Sequence, residues 1–239
     1  MSKLIIHHHL GLGDHLDCNG MVRCFLEHTK FDTIEVFSKS NIWHMIDYMY
    51  RDEDRIKVIK IDSKQDEDTQ VFDYVKSHFN QDYKFLRVGF ENYPFLNEHK
   101  YDKNCWEFFY EQVSLPLSVR TDYFYYLRDH DEEQRVFNKL NPNNDEFIFI
   151  HEDESRGFVL NREHFIDKSL KVVENDMTEN IFHFTKILED AKEIHCMESS
   201  FKSLIDIFSK TENIFYHDFR NQPLGNKTNK NWKVVKYAQ

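Results

Sequence analysis

The chain has 239 residues, 40% hydrophobic and 15% aromatic, enough to fill the core of one large domain or two small ones. A formal net charge of −11 argues against a broad nucleic-acid footprint, because a phosphate backbone would be repelled over most of the surface, although a local basic pocket is compatible with it. No apolar run approaches the ~18 residues of a spanning helix, and the N-terminus lacks the charged-then-apolar pattern of a signal peptide, so a cytoplasmic protein is expected.

Short apolar, β-branched runs alternate with amphipathic stretches. Residues 3–9 (KLIIHHH) read as a strand, 14–29 as a helix with Met21, Val22 and Phe25 on one side, and 33–39 (TIEVFSK) as a second strand. A helix over 41–50 follows, with Ile42, Met45, Ile46 and Met49 at helical spacing. The alternation continues with a strand at 56–62, a helix at 68–78, a strand at 84–90 and an aromatic helix at 104–115. Polar and turn-forming residues at 138–146 (NKLNPNNDE) suggest a boundary, giving expected domains of 1–140 and 141–239. A second round then starts, with strands at 147–153 and 170–176, a helix at 179–189, a strand at 192–197 and a helix carrying Phe201, Leu204, Ile205 and Phe208 at i, i+3, i+4 and i+7. NIFYHDF gives a further strand, the polar residues 220–231 a loop, and WKVVKY a closing strand or tail. Strands separated by helices imply βαβ units and parallel sheets, so the expected fold class is α/β with two tandem Rossmann-like units.

Glycine is scarce, with six in the chain, yet Gly11, Gly13 and Gly20 fall within ten residues of one another. Gly11 and Gly13 lie in the turn between the first strand and first helix, where α/β folds bind ligands, and would let the backbone approach a ligand or a facing domain. Asp14 stands at or just before the first helical turn, where it is either a cap or a functional carboxylate. Leu16 occupies the place of the third glycine of a dinucleotide fingerprint, and no GK[ST] follows to make a P-loop. His7 and His9 share one side of a strand and His15 is near, but no carboxylate or cysteine spacing supports a metal site, and no metal is expected. The four cysteines (Cys18, Cys24, Cys105 and Cys196) have no CxxC spacing and read as reduced thiols.

The stretch LGLGDHLDCNGMVR resembles the glycine-rich loop of GT-B glycosyltransferases related to the bacterial heptosyltransferases, and the two-unit layout agrees with it. That resemblance implies a cleft between the units, a general base at Asp14 that takes the acceptor hydroxyl proton, and inversion at the sugar; His15 is the alternative base. It also implies a nucleotide-diphosphate sugar as donor substrate, a glycan or other hydroxyl acceptor as partner, and no cofactor or metal. In the second half, IHCMESSFKSLIDIF is a strand, a Glu-Ser-Ser turn and a helix, resembling the segment where such enzymes grip the donor diphosphate, which singles out Glu198, Ser199, Ser200 and Ser203. The heptosyltransferase pattern Asp-Thr-Gly-x-x-His is not kept, since Ser203 stands where His would; this argues against a heptose donor, and the Ser-Ser-Phe turn is nearer to fucosyltransferase-like domains. FIFIHEDESRGF is similar to a fucosyltransferase loop whose arginine binds the diphosphate, with Arg156 as the candidate, against a plainer reading in which Arg156 pairs with Glu152 or Glu154. Two other readings stay open: a non-catalytic nucleotide- or sugar-phosphate-binding module, and a structural α/β protein acting as a homo-oligomer through a surface rich in Phe and Tyr.

Overall fold

A computed structural model describes residues 2–78, 80–90, 105–220 and 229–237, and the chain divides into two units, Met1–Leu127 and Arg128–Gln239. In the first unit, strands β1 (Lys3–His7), β2 (Thr33–Lys39), β3 (Ile56–Ile61) and β4 (Tyr83–Arg87) form one sheet of order β3-β2-β1-β4, parallel throughout. Helices α1 (Leu12–His28), α2 (Trp43–Tyr50) and α3 (Glu67–His78) connect them, and α4 (Cys105–Gln112) and the short α5 (Val119–Asp122) follow. Ile5 on β1 and Phe37 on β2 pack with Leu10, Ile61 and Val71 into one buried cluster. Four of the five β1 residues are buried because helices cover both faces of a central parallel strand, which is why KLIIHHH is a continuous run instead of an alternating one.

The second unit begins with helix α6 (His130–Leu140), followed by strands β5 (Phe147–His151), β6 (Lys171–Glu174), β7 (Glu193–Met197), β8 (Ile214–Asp218) and β9 (Lys233–Lys236) in the parallel order β6-β5-β7-β8-β9. Helix α7 (Thr185–Asp190), preceded by the 3-10 turn Ile181–Phe184, and helix α8 (Ser200–Phe208) are its other helices. The 179–189 segment is therefore a 3-10 turn running into a short α-helix, where one continuous helix is expected from the sequence. The expected division at 140/141 places α6 in the first half, whereas its buried Glu133 joins Arg128, which also holds Glu189 of α7 at 2.9 Å, and these contacts tie the helix to the second unit. The polar 220–231 loop lies largely outside the described residues. Among the described residues, no helix is long and apolar enough to cross a membrane.

Candidate active site

In open parallel sheets, ligands bind beyond the carboxyl ends of the strands where the strand order reverses. In the first sheet that point lies between β1 and β4, and in the second between β5 and β7. The glycine turn at 11–13 follows β1, the charged loop at 152–158 follows β5, and the Glu-Ser-Ser turn follows β7. Each stretch singled out in the sequence thus falls at the switch point of its own unit.

Helix α1 starts at Leu12, two residues before the expected start, so Gly11 is its N-cap and Asp14 lies within its first turn. The Asp14 side chain bends back over Gly11, where a Cβ would stand 2.6 Å from Oδ2, so a side chain at 11 would displace the carboxylate. Burial, then the charge of nearby Asp17, pushes the half-buried Asp14 carboxyl up to about 7, against the pull of the Gly11 and Asp14 backbone N–H groups. Such a carboxyl exchanges its proton near neutral pH, as a general base does. His15 does not sit on the loop: the early helix start turns it inward, fully buried, with its ring 4.6 Å from that of His8. Burial and the neighbouring His8 hold His15 well below the usual imidazole range, so it presents no nitrogen to a ligand at the sheet edge.

The rest of the motif is structural. Asp17 accepts a hydrogen bond from Arg120 Nε at 3.0 Å, and Arg120 lies over the Trp106 ring. Asn19 donates to the Tyr125 carbonyl at 3.1 Å and accepts from the Tyr125 N–H at 3.0 Å. A Cβ on Gly20 would stand 2.3 Å from the Val119 carbonyl oxygen, so this glycine lets α1 meet the α5 backbone. Along the same sheet edge, His7 of β1 and Lys39 of β2 hold Glu67 at 3.2 and 2.8 Å. Burial raises Glu67, but these hydrogen bonds and the Lys39 charge outweigh it and bring the carboxyl to about 2.

In the second unit, Ser199 is the N-cap of α8 and its Oγ accepts from the Phe201 N–H at 3.2 Å. Ser200 follows as the first helical residue, partly exposed, while Ser203 is buried. Glu198 accepts from Lys202 Nζ at 2.9 Å and from the Tyr216 hydroxyl at 2.8 Å. The carboxylate of Glu198 is thus a counter-ion for Lys202, and a diphosphate at this turn would have to draw Lys202 away from it. Lys202 and Tyr216 were not among the expected site residues; the four-residue spacing of Glu198 and Lys202 on a helix start is the signal that pairs them. Arg156 lies in a 3-10 turn closed by Gly157 at φ 73°, where it donates to Asp153 Oδ2 at 2.6 Å and lies over the Phe158 ring. Its partner is neither Glu152 nor Glu154, since Glu152 is engaged by Arg162 and the Leu160 N–H. Among the described residues, no three His, Cys, Asp or Glu side chains are placed to hold a metal ion.

No protein-family model matches this chain, and no curated protein matches it either. Solved structures do. A family 9 glycosyl transferase from Veillonella parvula is 7% identical with a TM-score of 0.57, covering 99% of this chain and 86% of its own. E. coli ADP-heptose LPS heptosyltransferase II is 11% identical with a TM-score of 0.54, covering 98% and 90%. E. coli heptosyltransferase WaaC with ADP is 10% identical with a TM-score of 0.53, covering 99% and 93%. At these identities the likeness shows the fold: two Rossmann-like α/β units of the GT-B kind.

Proposed function

We propose that the protein is a glycosyltransferase that moves a sugar from a nucleotide-diphosphate donor to an acceptor hydroxyl with inversion, Asp14 acting as the base. The observation that carries this reading is the Asp14 carboxyl, lifted to about 7 in the first turn of α1 at the first switch point. Ionised Asp14 takes the hydroxyl proton, the oxygen bonds to the anomeric carbon, and the sugar–phosphate bond breaks with its electron pair leaving on the nucleoside diphosphate. The first turn of α8, with Ser199 and Ser200, is assigned to the diphosphate, with Lys202 and Arg156 as the cations that can exchange Glu198 and Asp153 for phosphate oxygens. Two structural neighbours are named for ADP-heptose or ADP, which makes ADP the first nucleotide to test; the missing histidine at Ser203 favours a sugar other than heptose.

The test is binding and turnover together. ADP, GDP, UDP and TDP and their sugar conjugates are screened by thermal shift, where a ligand at ~100 times its dissociation constant stabilises by ~2.7 kcal/mol. With a donor identified, the wild-type rate rises with pH to a plateau above about 7, and Asp14→Asn keeps donor binding while losing ~100-fold or more in turnover. Donor binding with no transfer by the wild type supports the non-catalytic binding module, and no shift with any nucleotide overturns the glycosyltransferase reading.

A further inference from the structure

A buried row of polar side chains crosses the second sheet and takes no part in the proposed reaction. The Ile166 N–H donates to Glu193 at 2.9 Å, Glu193 Oε1 lies 2.6 Å from His195 Nε2, and His195 Nδ1 lies 2.8 Å from His217 Nε2. His217 Nδ1 then lies 2.6 Å from the Tyr237 hydroxyl, which accepts from the Asn161 N–H at 2.9 Å. His195 and His217 are fully buried and Glu193 is 2% exposed, while Tyr237 is partly exposed just past the carboxyl end of β9. His195 is packed against Phe215, stacked at 4.4 Å, and Phe165 at 4.6 Å, which hold its ring in place.

With neutral rings, the links allow two proton orders. When Glu193 is ionised, it must accept from His195 Nε2–H; bare His195 Nδ1 then accepts from His217 Nε2–H, and bare His217 Nδ1 accepts from the Tyr237 O–H. When Glu193 is protonated, every link reverses: Glu193 donates to His195 Nε2, His195 Nδ1–H to His217 Nε2, and His217 Nδ1–H to the Tyr237 oxygen. The two orders differ by one proton. We propose that these four side chains form a proton relay, in which a proton entering at Tyr237 neutralises buried Glu193 without forming an imidazolium and turns the Tyr237 hydroxyl from an inward donor into an outward one.

The surroundings favour this route over charging a ring. Burial, then the charges of His164 and Arg162, holds His195 at about 3, and burial, then His195 itself, holds His217 at about 3. Burial raises Glu193, against the Ile166 and Asp167 N–H groups and Lys233 of β9, with the Asp167 carboxylate adding to the rise. Glu152 and Arg162 are the charged groups facing Tyr237. The relay also fastens, at Asn161 and Ile166, both ends of the stretch that follows the Arg156 turn.

The experiment is a 15N NMR titration of the histidine-labelled full chain. At about pH 8, both rings should be neutral with the proton on Nε2; on acidification both should pass to Nδ1–H at one shared midpoint, above the ordinary carboxylate value of ~4.3. Glu193→Gln removes the carboxyl proton, and its amide oxygen, kept at the Oε1 place by the Ile166 N–H, goes on accepting from His195 Nε2–H, so both rings should stay Nε2–H through the range in which the wild type changes tautomer. Tyr237→Phe cuts the outer link and should slow the exchange of both rings between the tautomers while leaving their midpoint shared. An imidazolium forming at either ring before the tautomers change, or the same tautomer change persisting in folded Glu193→Gln, overturns the relay.

Discussion

The head of α1 offers a measurement of stability that needs no substrate. Asp14 is lifted from an ordinary 3.8 to about 7, so the folded protein holds this proton more tightly than the unfolded chain does. The favourable contribution is complete below the unfolded value, is lost as pH rises, and levels off above about 7. From about pH 5 to above the folded value is roughly two units, at ~1.36 kcal/mol each; partial exposure lowers the expected loss to ~1–2 kcal/mol. Asp14→Asn has no charge to bury, and its amide oxygen can still accept from the Gly11 N–H. Urea unfolding at about pH 5 and about pH 8.5 should therefore show the variant gaining on the wild type by that amount between the two conditions. A stability difference that is the same at both pH values, or a wild type that gains on the variant as pH rises, refutes the argument that burial controls this carboxyl.

Three other substitutions probe the frame around the sites. Gly20→Ala drives a methyl into the Val119 carbonyl and should cost ~1–3 kcal/mol or more by denaturant unfolding; a neutral result would show that α1 and α5 can separate. Arg120→Ala removes the cation beside Asp17 and should cost ~3–5 kcal/mol, whereas Arg120→Met combined with Asp17→Asn should lose less; equal losses would mean that the uncompensated Asp17 charge is not the source of the cost. Glu198→Gln releases Lys202 and should tighten binding of the nucleoside diphosphate found by the screen roughly tenfold, ~1.4 kcal/mol by titration calorimetry. Unchanged affinity would remove Lys202 from the diphosphate assignment.

Much of the architecture was legible because its signals are local. Apolar runs such as TIEVFSK and FIFIH are long enough to announce buried parallel strands, and the two-unit reading follows from their alternation with helices. What escaped was decided by contacts distant in sequence. The charged stretch before Leu140 looked like the end of the first half, but Arg128 joins Glu133 to Glu189, a partner sixty-one residues away. His15 stands beside Asp14 as an alternative base in the sequence because nothing local shows which face of α1 turns into the core. The glycine cluster mixes two causes: Gly11 yields room to a carboxylate at the sheet edge, while Gly20 yields room to a carbonyl one hundred residues on. The relay from Glu193 to Tyr237 was invisible, since its members lie on β7, on β8 and just past β9 and align only once the sheet has formed.

Both sheets close on themselves within their own stretch of chain, with every strand pairing completed before Leu127 or after Arg128. During synthesis, the N-terminal half can therefore hydrogen-bond its full sheet and seat Asp14 in the glycine turn while the rest of the chain is still being made. The second half does not have this order: Tyr237 follows β9, so the loop after Arg156 receives this tether only after the 76 residues from Asn161 to Tyr237 have been made.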